Sequence, residues 1–137
     1  MINIFTDASC LIHIGVAGWA ALIRYPSAPA VELSGGELCG KINRMELFAV
    51  VKALSALPTG TTVTVWADSQ YVMRGSEQFK RRDENADLWE VFDELKRVNV
   101  VFVKWVRAHS GHPDDEYVDK LAYWEAWKRV KPTRTLV

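Results

Sequence analysis

Two cysteines in 137 residues, Cys10 and Cys39, are too few to build a disulfide framework. A chain of this length buries enough apolar surface to do without one, and two thiols suit a reducing compartment. An excess of one charge is also missing. The 17 basic side chains are matched by 17 acidic ones, so the formal net charge is zero. That excludes a general basic coat for nucleic acid and leaves anion binding to local clusters. No apolar run is long enough to cross a membrane, and "MINIFTDASC" lacks the basic start and apolar stretch of a secretory signal. The expectation is a cytoplasmic chain without membrane contact. Internal repeats and low-complexity segments are absent too, while 49% hydrophobic and 25% charged residues fall in the ordinary globular range. One domain is expected.

What is present divides in two. "INIFTD", "GWAALIRY" and "AVELSGGE" read as three short strands with turn-length connections, hence an antiparallel meander. "PSAP" marks the turn after the second. From Arg44 to Leu57 the residues Leu47, Val50, Val51 and Leu54 take up helical spacing. "VTVWAD" gives a fourth strand, and "SQYVMRG" and "ADLWEVFDELKRV" give two shorter helices flanking the charge run "FKRRDEN". "VVFVKWV" reads as a fifth strand covered on both faces because it is almost continuously apolar. Pro113 opens a last helix towards Arg129, with Asp114, Asp115 and Glu116 at its positive end. A meander followed by alternating helices and strands implies an α/β domain, a mixed five-stranded sheet with helices on both faces.

Four carboxylates sit oddly in this scheme. Asp68 ends an apolar strand, either to cap the helix that follows or to be delivered to a site. Asp7 ends the first strand, and parallel pairing of the first and fourth strands would make the two neighbours; alone, Asp7 also fits a turn. Glu46 lies three residues after Asn43, the spacing of a capping box, yet it shares a helical face with Ala49, Val50 and Ala53 that points to the sheet. Asp119 aligns with Ala122 and Ala126 on a face of small side chains, with Glu116 one turn earlier. Converging carboxylates repel, and burying them unpaired costs several kcal/mol. A divalent cation removes that objection, and oxygen ligands select Mg²⁺ or Mn²⁺ over zinc. Two such ions about 4 Å apart would clamp the attacking and leaving oxygens of a phosphoryl displacement. His109, on the glycine-bearing loop "AHSGHP", would shuttle protons at the edge of such a site, the bland alternative being a solvated loop residue.

"IFTDASC", "NRMEL", "ADSQYV" and "AHSGHPDDEYVDKLA", in this order and spacing, closely resemble type 1 ribonuclease H from about Ile2 to Ala126. The resemblance implies the ribonuclease H-like fold over residues 1–130, a flexible tail at 131–137, and a monomer whose partner is an RNA–DNA hybrid. It implies two-metal hydrolysis of the RNA strand, leaving 5′-phosphate and 3′-hydroxyl ends. By it, Asp7 bridges both ions, Asp119 serves the nucleophile side, and Glu46 with Asp68 serves the leaving-group side. His109 matches a mobile histidine assisting product release. Cys10, Asn43, Gln70 and Tyr71 match minor-groove contacts, and Asn85 a grip on a DNA-strand phosphate, with Lys41 beside that pocket. The sequence also departs from the family: Ala8 stands for a usual Gly, His13 for an Asn, and Lys41 and Ile42 for residues that include a Thr and a second Asn. "RGSEQFKRRDEN" is too short for a basic, Trp-containing protrusion, which leaves Lys80, Arg81 and Arg82 as local phosphate contacts. A non-catalytic nucleic-acid binder on the same fold is the competing class. It would gain nothing from clustered negative charge on a polyanion-binding surface.

Overall fold

Alternation along β1 (Ile2–Leu11) sends Ile4 into one core cluster and Phe5 into another on the opposite face of the sheet. The computed structural model describes residues 1–38, 40–107 and 111–130. After β1 come β2 (Val16–Arg24), β3 (Val31–Leu38), α1 (Ile42–Ser55) and β4 (Thr62–Ala67). Then follow α2 (Gln70–Gln78), α3 (Ala86–Val98), β5 (Val100–Trp105) and α4 (Pro113–Trp127). The sheet order is β3-β2-β1-β4-β5. Its first three strands pair antiparallel, whereas β4 runs parallel to both β1 and β5. This is the mixed five-stranded sheet expected from the sequence.

The helices cover the two faces unequally. Leu47, Val50, Val51 and Leu54 of α1 join Val72 of α2 and Trp89 and Phe92 of α3 over Ile4, Ile23, Val63, Val65, Val101 and Val103. On the other face Val118 and Ala122 of α4 pack on Phe5, Ala20 and Leu22. That helix lies against β1, β2 and β3. In consequence β5 is buried on one side only: Val101 and Val103 are covered, but Val100 and Phe102 are about half exposed. The expectation of a strand covered on both faces is corrected. Continuous hydrophobicity reports residue type, and it cannot tell an edge strand with an open face from a central one.

Three boundaries also move. β1 does not stop at Asp7 but runs to Leu11, held by β2 through Asp7↔Ala20 and on to Leu11↔Val16. Helix α1 begins at Ile42 after Lys41, with no side-chain cap, so Asn43 lies within its first turn and the capping box does not form. Ser69, rather than Asp68, caps α2 by accepting from the Val72 N–H at 3.1 Å. Neither Glu46 nor Asp68 therefore serves as the helix cap that the sequence offered it. The tail at 131–137 lies outside the described residues, as does Cys39; Cys10 is a free thiol.

The small face foreseen on the last helix sits directly on backbone. A Cβ at Gly18 of β2 would lie 2.1 Å from the Ala122 carbonyl oxygen and 2.5 Å from the Ala126 nitrogen. Gly18→Ala should therefore push α4 off the sheet, with a loss of about 1–3 kcal/mol typical of overpacking. Urea unfolding of the two proteins measures it; an unchanged midpoint would mean the helix shifts without cost.

Candidate active site

Parallel pairing of β1 with β4 ends at Thr6↔Ala67, and both Asp7 and Asp68 are the next residues along. Since β1 continues and β4 does not, a gap opens beside Asp7 at the point where β4 turns into α2. Glu46 enters the gap from α1, on the face it shares with fully buried Ala49, Val50 and Ala53. Carboxylate oxygens of Asp7, Glu46 and Asp68 all lie within 4.8 Å of one another. Asp7 and Glu46 are buried, at 4% and 6% exposure. The fourth candidate, Asp119 on α4, is outside this trio but near enough to Asp7 for charge and hydrogen-bond contact. Four carboxylates spread across the chain thus gather where the pairing of β1 with β4 ends.

The electrostatics follow from burial first and like charge second. Burial, then the charge of Asp68, pushes the Asp7 carboxyl up to about 8, while the Ala8 N–H donated to its Oδ1 at 2.8 Å works the other way. Glu46 is held well above the usual carboxylate range by burial, then by Asp7 and Asp68. Its Oε2 is buried without a hydrogen-bond partner among the described residues. A buried acceptor aimed at two other carboxylates has one natural complement, a hard cation. The donor set is all oxygen and fits Mg²⁺ or Mn²⁺. His109 lies outside the described residues.

A second cluster lies at the start of α1. A cavity of about 410 Å³ is lined by Lys41, Ile42, Asn43, Arg44, Glu84 and Asn85. Three predicted substrate contacts, Lys41, Asn43 and Asn85, meet there. Asn85 adopts a left-handed backbone (φ 61°) just before α3, and its Oδ1 accepts from Arg44 Nη1 at 3.2 Å. Its Nδ2 donates to the Tyr71 hydroxyl at 3.2 Å. That hydroxyl donates to the Glu84 carbonyl at 2.6 Å and accepts from Trp89 Nε1 at 2.9 Å. With its donor and both lone pairs engaged and its ring buried, Tyr71 braces Asn85 and has no hydroxyl valence left for a groove. Gln70 is exposed at the start of α2, and Cys10 Sγ contacts the Gly40 carbonyl at 3.4 Å.

Sequence reasoning missed Arg44 and Asp87. They form a two-bond ion pair, Nη1 to Oδ1 at 3.0 Å and Nη2 to Oδ2 at 2.8 Å, across 43 positions. No single-sequence periodicity reports a pair so far apart, although Arg44 adjoins Asn43 in "NRMEL". The basic run also changes meaning. Arg82 is turned inward, over the Phe79 and Trp89 rings at 4.2 and 4.7 Å, donating to the Gly75 carbonyl at 2.8 Å and to Asp93 at 2.7 Å. Arg81 is paired with Glu84.

The family model described as RNase H matches residues 1–126. The chain belongs to the ribonuclease H family. It is thereby an endoribonuclease, a hydrolase. A ribonuclease H of Nitratidesulfovibrio vulgaris is 41% identical over 145 aligned residues, covering 96% of this chain and 92% of that one. A ribonuclease H of Nitrosospira multiformis is 41% identical, covering 89% and 86%. Among solved structures, LC9-RNase H1, described as a type 1 RNase H with the type 2 active-site motif, superposes with a TM-score of 0.79. It shares 26% identity and is covered over 76% of its length by 99% of this chain. LC11-RNase H1, solved in complex with RNA/DNA hybrid, superposes at 0.80 with 18% identity, over 96% of this chain and 100% of that one, and supports the fold alone. Both are ribonucleases H on the same mixed sheet.

The raised carboxyls give this ribonuclease H a pH signature. Without metal, folded Asp7 and Glu46 keep protons that the unfolded chain has released, so the folded state binds more protons. Their contribution to stability is complete below the unfolded value near 3.8 and is lost as pH rises through about 8. The melting temperature of the chelator-treated protein should fall across that window, and saturating Mg²⁺ should flatten the fall. Glu46→Gln should raise the metal-free melting temperature at the alkaline end. Melts that climb with pH in chelator would contradict the repulsive cluster.

Proposed function

We propose that this chain cleaves the RNA strand of RNA–DNA hybrids by two-metal-ion hydrolysis and leaves 5′-phosphate and 3′-hydroxyl ends. The observation that carries the reading is the cluster of Asp7, Glu46 and Asp68, the first two buried, where the parallel pairing of β1 with β4 ends, with Glu46 Oε2 lacking a donor among the described residues. Asp7, Glu46, Asp68 and Asp119 would hold two Mg²⁺ ions, with Mn²⁺ as the alternative. Such ions supply an acidified water and positive charge facing the phosphoryl oxygens. The chain's own share is positional. Strand ends and a packed helix fix the carboxylates, so little reorganisation is left for the reacting phosphate to bring about. By the family resemblance His109 would assist by moving a proton during turnover.

Hybrid binding is the second half of the proposal. The cavity at Lys41, Asn43 and Asn85 would seat a DNA-strand phosphate, with Tyr71 keeping the Asn85 amide in place. Cys10 and Gln70 would face the minor groove. The protein works in the cytoplasm as a monomer on this reading. With zero net charge and Arg82 committed inward, the grip on the hybrid rests on few cations and is weak.

Incubation with a labelled hybrid, duplex DNA and duplex RNA, with and without Mg²⁺, tests the proposal. Only the hybrid should be cut, only with the metal, and the products should carry 3′-hydroxyls that a polymerase extends. Asp7→Asn or Asp68→Asn should lower the rate by more than about 10²-fold, the upper cost of losing a mere supporting partner of a metal ligand. Cleavage near the parent rate in either variant would sink the ligand assignment. For His109→Ala the expected loss is in turnover, about 10²–10⁴-fold as for acid–base help, with Mg²⁺ affinity by calorimetry unmoved.

A further inference from the structure

The cation that commands the phosphate cavity is already occupied. Arg44 presents its fork to Asp87 through Nη1 at 3.0 Å and Nη2 at 2.8 Å. Two parallel N–H donors to two oxygens is the arrangement a guanidinium offers a carboxylate or a phosphate alike. The charge around the cavity says the same. Lys41 and Arg44 bring two positive charges, Glu84 is paired with Arg81, and Asp87 offsets one of the two. A phosphate entering from solvent meets a competitor of its own sign.

We propose that Asp87 is a resident competitor for the phosphate cavity, holding the Arg44 fork that a DNA-strand phosphate would take and so setting the affinity for the hybrid. The inference rests on the hybrid-cleaving reading above. Two features make Asp87 a competitor rather than a pillar of the cavity. First, the ion pair is exposed, 37% for Arg44 and 64% for Asp87, and exposed pairs contribute little to stability, so exchange is cheap. Second, the neighbouring Asn85 is fixed without Asp87. Its backbone is left-handed, its Nδ2 donates to Tyr71, and the Tyr71 hydroxyl is in turn tied to Glu84 and Trp89. The Asp87 carboxylate can leave Arg44 for water while the rest of the cavity stays built. Arg44 keeps Asn85 Oδ1 on Nη1 in either state. An Asp in the first turn of α3 is also favoured there by the helix dipole, which keeps it charged and available to return.

The experiment is steady-state cleavage of a short hybrid across a salt series, for the parent, Asp87→Asn, Arg44→Gln and the double variant, with thermal melts confirming that each folds. At low salt Asp87→Asn should lower KM by roughly two- to fivefold, the range of an exposed ion pair. Turnover number should move little, because none of the four carboxylates lines the cavity. The salt dependence of kcat/KM should steepen by about 0.9 in logarithmic slope, the increment of one more phosphate contact. In the Arg44→Gln background Asp87→Asn should leave KM where it was. An unchanged or higher KM in the single variant would overturn the competitor and make Asp87 a support of the cavity. The same fall in KM without Arg44 would also overturn it, in favour of a general charge effect. A parent that cuts no hybrid would instead overturn the functional reading and the inference with it; a parent that cuts, with KM unmoved, overturns the inference alone.

Discussion

Mutual repulsion among Asp7, Glu46 and Asp68, held within 4.8 Å and largely out of water, is the condition the rest of the fold has to withstand. Left to flexible segments, the three side chains would swing apart and hydrate. They stay because each is rooted in an element that cannot yield. Asp7 sits inside a strand that β2 continues to hold after β4 has ended, Glu46 is fastened to a helix with fully buried neighbours, and Asp68 follows directly on a core strand. The apolar cluster of α1, α2 and α3 over β1, β4 and β5 supplies the opposing stabilisation. The Ala8 N–H, donated to Asp7, softens the charge from within the site.

Much of this was legible in the sequence because it depends on period and order. The helical spacing of Leu47, Val50, Val51 and Leu54 located α1, and "ADLWEVFDELKRV" coincides with α3. The meander, the parallel return of β4 and the convergence of strand ends follow from short connections and from where helices intervene. What was illegible is what depends on a distant partner. Asp7 reads as a strand end because the alternation weakens there, yet β2 carries the strand four residues further. Asn43 and Glu46 have the spacing of a capping box, but the helix begins two residues earlier, at Ile42, and the core claims Glu46. Tyr71 resembles a groove contact until Trp89, Asn85 and Glu84 are seen to use its hydroxyl. The pairing of Arg44 with Asp87 has no local sign at all.

Neutral net charge has a structural counterpart. Several cations that a charge count would assign to a polyanion already have an anion beside them: Arg24 with Asp114, Arg44 with Asp87, Arg81 with Glu84, and Arg82 with Asp93. The segment between α2 and α3 is short and folds on itself, with left-handed Phe79, Arg81 and Asn85 and with Arg82 between two rings. Gly75 of α2 is required beside it, since a Cβ would lie 2.1 Å from the Trp89 ring. Much of the arginine charge in this protein is therefore matched by a carboxylate before any polyanion arrives.

The position of α4 at the end of the described chain has a consequence for biosynthesis. Asp119 comes from this last helix, as do Val118 and Ala122, which pack on Phe5, Ala20 and Leu22, and Gly18 accepts the helix at backbone distance. A ribosome delivers the sheet and α1 first, at a few residues per second. Until α4 emerges, a growing chain carries the three-carboxylate cluster beside an uncovered apolar sheet face. Arrival of the fourth carboxylate and closure of that face are then one event, so a partly made chain has neither the full acidic cluster nor a finished core.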